Sequence, residues 1–124
     1  MTSDVKRLAR LAKVQAQMKQ MKEMRLGEQL AALRRVEDDI DEISRLGDSG
    51  SPVAMLFPAL CARRLAALEA ERKAIEAQAA ATLGETHVEN KRLQRIEDRL
   101  VRADGARERK ALEHETLERL ARDG

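Results

Sequence analysis

Residues 59–122 have the sequence ALCARRLAALEAERKAIEAQAAATLGETHVENKRLQRIEDRLVRADGARERKALEHETLERLAR. This stretch contains no proline and makes up about half of the chain. Its apolar residues recur every three or four positions, at Cys61, Leu65, Leu68, Ile75, Ala79, Leu93, Ile96 and Leu100. Such spacing places them on one face of a long α-helix and predicts a coiled-coil seam covered by a second helix.

The composition of the whole chain agrees with long helices. Among 124 residues, 37% are charged, and the aromatic residues amount to one Phe with no Trp or Tyr. A broad core normally needs large side chains to fill it, whereas Leu, Ala, Ile, Val and Met are enough for a thin contact between helices. The composition therefore predicts an elongated molecule without a broad core.

A first helix is predicted from about residue 4 to about residue 46, with Ser3 or Asp4 capping its start. Its apolar positions are spaced by three and four, with one five-residue step between Met21 and Leu26. They are Val5, Leu8, Leu11, Val14, Met18, Met21, Leu26, Leu30, Leu33, Val36, Ile40 and Ile43. We expect Met18 and Met21 to lie in the seam; the alternative is that the methionines form a pliable binding face.

Residues 47–58 are predicted to connect the two helices. Gly47 is the expected residue with a left-handed backbone at the end of the first helix, and Pro52 and Pro58 flank a short apolar patch. The second helix is predicted over residues 59–122. We favour its continuation through Gly84, because the seam resumes beyond Gly84 in the same phase; the alternative is a break there, which would give three helices instead of two.

The two arms match as an antiparallel pair when the numbers of facing residues sum to 104 or 105. Ile43 then faces Cys61, Met21 faces Leu83, and polar Thr86, Asn90 and Arg72 lie on the seam. We therefore predict an all-α fold, an elongated antiparallel two-helix coiled-coil hairpin that forms a single domain over residues 1–124.

This pairing leaves residues from about 103 to 122 without an intramolecular partner. Leu112, Leu117 and Leu120 still fall on one helical face there. An unpaired amphipathic end predicts a C-terminal helical overhang that a partner covers.

Candidate chemistry is sparse, and we predict that the protein is not an enzyme and has no catalytic, cofactor-binding or metal site. His87 and His114 are 27 residues apart on one helix and cannot meet. Cys61, the single cysteine, has no internal disulfide partner and is expected to be a small seam residue. A two-helix hairpin also lacks the concave, water-excluding pocket that catalysis prefers.

Charge separates the N-terminal arm from the rest of the chain. Residues 1–35 carry nine Lys or Arg against three acids, whereas residues 36–50 carry six acids against one Arg. Lys6, Arg10 and Lys13 recur at helical spacing, but no aromatic residue accompanies them to stack bases. We favour a solvated helix face over nucleic-acid binding, and a nucleic-acid-binding hairpin is the third hypothesis.

The sequence contains no apolar run long enough to span a membrane and no secretory signal at its start. We therefore expect a cytoplasmic protein. In the connector, Met55, Leu56 and Phe57 either fold back on the helices or anchor a partner, and the sequence leaves both alternatives open.

The order of these segments resembles the FliJ/YscO family of coiled-coil stalk proteins of flagellar and type III secretion export. The local similarity lies in SPVAMLFPALCARRLAALEAERKAIEAQ (residues 51–78) and in ENKRLQRIEDRLVRADGARERKALEHETLE (residues 89–118). The resemblance covers most of the chain.

The resemblance implies a cytoplasmic stalk whose paired ends insert into the hexameric export ATPase ring and promote its activity. It also implies links to the export gate and to substrate chaperones. By this resemblance, the ring-facing residues are those of Lys6–Lys13 together with Arg99, Arg102 and Arg109. The alternative hypothesis is a structural coiled-coil protein that homodimerises through the C-terminal overhang, including Leu112 and Leu117.

Overall fold

The computed structural model describes residues 2–123, and these are nearly all helical, with no strand among them. Helix α1 spans Thr2–Asp48, the short helix α2 spans Pro52–Leu56, and α3 spans Pro58–Asp123. The all-α prediction is confirmed. Helix α3 continues through Gly84 as predicted.

The connector differs from its prediction. Helix α1 passes through Gly47 and ends at Asp48, and the glycine with a left-handed backbone is Gly50, with φ of 68°. The Ser49 amide still donates to the Arg45 carbonyl oxygen at 2.9 Å, so the helical bonding pattern extends past Gly47. Residues 52–56 form a helical turn with Pro52 at its start, a position where the missing N–H costs nothing.

The described chain forms two compact units, and each is described by itself. The terminal unit comprises the described residues of Met1–Gln20 and His87–Gly124, and the connector unit comprises Met21–Thr86. Of the four buried apolar residues, Val36, Leu68 and Ala79 belong to the connector unit and Leu93 belongs to the terminal unit. The prediction of a single domain stays a prediction.

The buried and half-buried residues recur at alternating steps of three and four, from Val5 to Ile43 in α1 and from Cys61 to Leu100 in α3. We call these buried and half-buried positions the seam positions. In α1 they are Val5, Leu8, Ala12, Gln15, Lys19, Lys22, Leu26, Gln29, Leu33, Val36, Ile40 and Ile43, with Ala32 beside them. In α3 they are Cys61, Leu65, Leu68, Arg72, Ile75, Ala79, Thr82, Thr86, Glu89, Leu93, Ile96 and Leu100. Residues 103–106 of α3 are also half-buried, so the overhang predicted over residues 103–122 is fully exposed only from residue 107.

The predicted seam of α3 is therefore confirmed at all eight apolar positions, but part of the predicted seam of α1 is wrong. Five apolar residues assigned to it are exposed: Leu11, Val14, Met18, Met21 and Leu30. Ala12, Gln15, Lys19, Lys22 and Gln29 take the seam positions instead. The reason is geometric, because one helix keeps one phase, and the phase of Val5, Leu8 and Leu26 excludes the neighbouring apolar residues.

The same phase decides the polar positions of α3. Thr86 is buried and Arg72 is half-buried, as expected, but Asn90 is exposed and Glu89 occupies the seam in its place. Leu83, expected to face Met21, is 44% exposed. The buried hydroxyls of Thr82 and Thr86 donate to carbonyl oxygens one turn earlier in α3, at 3.0 and 2.8 Å, which satisfies them without a partner helix.

Candidate partner-binding surfaces

A polar cluster lies inside the terminal unit and ties its two helical segments together. The Gln15 side-chain amide donates to the Glu89 backbone carbonyl at 3.2 Å and also to the Glu89 carboxylate. Arg92 Nη1 adds an ion pair to the same carboxylate at 3.1 Å. Because Gln15 and Glu89 are both buried, this cluster aligns one particular residue of α1 with one of α3.

The connector unit has its own polar contact between the two long helices. Lys22 Nζ and Glu85 Oε2 are 2.7 Å apart. The hydrogen bond from Lys22 lowers the pKa of the Glu85 carboxyl from its ordinary value, and the charge of the ammonium group acts in the same direction. This contact joins the basic first half of α1 to an acidic residue of α3.

The last segment of α3 lacks a covering partner within the described chain. We call residues 107–123 the tail; every residue in it is exposed. Leu112, Leu117 and Leu120 are 62%, 64% and 64% exposed, and a shallow depression is lined by Leu112, Glu113, Thr116 and Leu117. The expected exposure of Leu112 and Leu117 is therefore confirmed, and their use in binding stays a prediction.

Side-chain contacts along the tail join residues one helical turn apart. His114 Nε2 lies 3.1 Å from Glu118 Oε1, and Arg119 lies 3.8 Å from Glu115 Oε1. Each of these exposed pairs contributes only ~0.3–0.5 kcal/mol. They are helix-surface contacts, and they leave the leucine side chains open.

Three apolar side chains of α1 form a second exposed surface in the terminal unit. Leu11, Val14 and Met18 are 46%, 53% and 41% exposed and follow one another at steps of three and four. We call these three residues the stripe. Arg7 and Arg10, both exposed, lie one helical turn before Leu11 and Val14 and therefore border the stripe.

Sequence reasoning assigned all three residues to the seam and gave a methionine binding face only as the alternative. The exposure of Met18, Met21 and Met24 agrees with that alternative, and their use in binding stays a prediction. A signal was available in the five-residue step from Met21 to Leu26. In a helix of constant phase, that step means that the apolar residues immediately before it, Leu11 to Met21, lie on a different face from Leu26.

The structure places the predicted basic residues at the surface of the terminal unit. Lys6, Arg10, Lys13, Arg99 and Arg102 are exposed, as is Arg109, whose Nε donates to the Gly105 carbonyl at 3.3 Å. Leu112 and Leu117 belong to the same unit. Eight of the eleven predicted partner-binding residues therefore share one compact unit.

The other three predicted residues lie in the connector unit. Met55, Leu56 and Phe57 are 74%, 72% and 53% exposed, and nearby Leu60 is 60% exposed. Of the two alternatives, folding back onto the helices does not agree with this exposure. Partner anchoring by these residues stays a prediction.

Within the described residues, no group of three or more His, Cys, Asp and Glu side chains is arranged to hold a metal ion. Cys61 is half-buried and free, in agreement with its predicted seam position. Among residues 2–123, none of the helices has a stretch apolar and long enough to cross a membrane. Comparison with protein-family models, curated proteins and solved structures finds no match to this chain.

Proposed function

We propose that this protein is a non-catalytic coiled-coil stalk or adaptor of a flagellar or type III protein export apparatus in the cytoplasm. In this role it binds the hexameric export ATPase, promotes its activity and links it to the export gate. The resemblance of residues 51–78 and 89–118 to the FliJ/YscO family supports the assignment.

The observation that carries the proposal is the open helical tail. Its three leucines are more than 60% exposed and belong to the same compact unit as Lys6, Arg10 and Lys13. A binding end of this kind needs apolar anchors and charges on a rigid helix, since loops would lose more conformational entropy on docking.

The proposal also includes the way in which α1 and α3 pair. We infer an antiparallel two-helix coiled coil, because the Gln15–Glu89 cluster and the Lys22–Glu85 contact each join α1 to α3. Lys22 follows Gln15 in α1, whereas its partner Glu85 precedes Glu89 in α3, as antiparallel helices require.

Stimulation of ATP hydrolysis by the hexameric export ATPase tests the function. The protein should raise the hydrolysis rate, and the Leu112→Glu/Leu117→Glu variant should not, because charged side chains replace both apolar anchors. The helical circular dichroism signal of this variant should stay near that of the wild type, since surface substitutions change stability by about 0.5 kcal/mol or less.

A matched control is Leu30→Glu/Leu83→Glu, which changes two exposed leucines of the connector unit (49% and 44% exposed). This variant should still stimulate hydrolysis. The proposal fails if the wild-type protein leaves the hydrolysis rate unchanged. Loss of the whole helical signal in the tail variant would show that the tail is part of the folded unit.

The exposed leucines also favour the second candidate, a structural coiled-coil protein that homodimerises through the tail. An obligate dimer in size-exclusion chromatography with light scattering would support this candidate, whereas a monomer that elutes early for its mass would favour the stalk.

A further inference from the structure

We propose that the tail of one copy docks on the stripe of a second copy, reciprocally, in a reversible homodimer. This inference goes beyond the export function and does not depend on it. It gives the dimer hypothesis a receptor surface, Leu11, Val14 and Met18 bordered by Arg7 and Arg10.

Charge makes the two surfaces complementary. Around the stripe, Lys6, Arg7, Arg10 and Lys13 are exposed, and residues 5–22 of α1 contain no acid. Residues 111–118 of the tail carry three Glu and no Lys or Arg, and Glu113 lines the depression between Leu112 and Leu117. Opposite charges beside two apolar strips favour this pairing and disfavour tail on tail or stripe on stripe.

The dimensions also agree. The tail is 17 residues long, roughly 25 Å at 1.5 Å per residue, and Arg7 to Met18 spans roughly 17 Å. The helical tail is therefore long enough to cover the stripe and both bordering arginines.

A chain cannot make this contact with its own tail. The Gln15 amide touches Glu89, which places the stripe beside that part of α3. Leu112 lies 23 residues further along an uninterrupted helix, roughly 35 Å away. The tail that covers the stripe therefore belongs to another molecule.

Each copy carries one tail and one stripe, so two copies can satisfy both contacts around a two-fold axis. Such an interface is closed, because the tail and the stripe of each copy are then both occupied. The dimer also covers Leu112 and Leu117, so an ATPase that binds these leucines competes with the second copy.

Reversing the charges on each surface tests the pairing. Arg7→Glu/Arg10→Glu makes the border of the stripe acidic, and Glu113→Lys/Glu115→Lys makes the tail basic. Each variant alone should be monomeric in light scattering over a roughly hundredfold concentration range in which the wild type shifts from monomer to dimer. An equimolar mixture should form a heterodimer, because each reversed surface then meets its complement.

Two exposed pairs in the connector unit supply controls with the same change in charge. Arg34→Glu/Arg35→Glu and Glu37→Lys/Asp38→Lys should dimerise like the wild type. Three results would overturn the proposal: a wild type that stays monomeric, reversed variants that still dimerise, or a mixture that stays monomeric. None of these measurements involves the ATPase, so failure here is distinct from failure of the export function.

Cross-linking gives an independent measurement of the same contact. In a Cys61→Ser background, a Val14→Cys chain mixed with a Leu117→Cys chain should form a mixed disulfide dimer on oxidation. A mixture of Val14→Cys with an exposed-site control, Arg34→Cys, should not. Equal yields from the two mixtures would contradict the proposed docking.

Discussion

The connector unit and the terminal unit differ in what occupies their seam positions. The connector unit buries Val36, Leu68 and Ala79, and Leu68 is only 1% exposed. Among its described residues, the terminal unit buries one apolar residue, Leu93, and two facing seam positions hold the Gln15–Glu89 pair. The buried polar residues of the connector unit, Thr82 and Thr86, donate to carbonyl oxygens within α3. Apolar contacts along a seam stabilise helix pairing but do not fix which residues face each other. A buried polar pair fixes that alignment and lowers stability.

Both units expose apolar side chains, in the stripe and the tail of the terminal unit and at Met55, Leu56 and Phe57 of the connector unit. We therefore base the comparison on the seam and expect the connector unit to contribute most of the stability. Four predictions test it, from the largest expected effect to the smallest.

Truncation of the best-buried side chain should have the largest effect. Leu68→Ala should lower the free energy of unfolding by about 3 kcal/mol, and Leu93→Ala, at 9% exposure, by about 2 kcal/mol. Urea unfolding followed by circular dichroism measures both, and hydrogen exchange locates the loss. Leu112→Ala, in the exposed tail, serves as the control and should be close to neutral. A larger loss at Leu93 than at Leu68 would reverse the comparison.

The buried polar pair should show strong non-additivity. Gln15→Leu alone leaves the Glu89 carboxylate without its amide donor and should cost ~1–3 kcal/mol. Gln15→Leu/Glu89→Leu removes both polar groups and should recover most of that loss or exceed the wild-type stability. A double-mutant cycle by urea unfolding measures the coupling. Additive losses would show that the pair does not act as a unit.

Two glycines of the connector unit should respond with opposite signs to the same substitution. Gly50→Ala should lower the free energy of unfolding by about 1 kcal/mol, because the backbone has φ of 68° there. Gly84→Ala should raise it by up to about 1 kcal/mol, because Gly84 is inside α3 and an added Cβ meets no atom within 4 Å. Thermal unfolding of both variants measures this difference. A stabilised Gly50→Ala would contradict the described turn.

The exposed Lys22–Glu85 contact should give the smallest effect, visible in the pH dependence of stability. Because the pKa of Glu85 is lower in the folded chain, its contribution is present above the ordinary glutamate pKa and is lost as pH falls through the folded-state value. Unfolding free energies at neutral and acidic pH should fall further for the wild type than for Glu85→Gln. Identical pH profiles would show that the contact adds nothing to stability.

Several features of the fold were open to prediction from sequence, for local reasons. The absence of proline between residues 59 and 122, and the three-and-four spacing of Cys61 to Leu100, were enough to predict α3 and its seam. The seam of α1 was predicted only in part. Between Leu11 and Met21 the apolar residues follow a different phase from the seam, and hydrophobicity alone did not reveal which phase is buried.

The candidate surfaces divide in the same way. The open tail followed from counting residues, since α3 is longer than α1, and its leucines are exposed. The stripe was not predicted from the sequence, because its residues are apolar and spaced by three and four, as seam residues are. Glu89 was also missed, because Asn90 was assigned to the seam instead. The two positions are one residue apart, which places them 100° apart around the helix axis.

By itself, the sequence determined where the long helices run, where the chain turns and that the leucines near the end of α3 are exposed. Backbone hydrogen bonds, proline and glycine act within a few residues, so these features are encoded locally. The tertiary structure alone decided that Gln15 and Lys22 occupy seam positions while Leu11, Val14 and Met18 face outward. The physical reason is that a helix packs in one phase along its length. The strongly apolar positions Val36, Ile40 and Ile43 share that phase with Gln15, so the weaker positions follow it whatever side chains they carry.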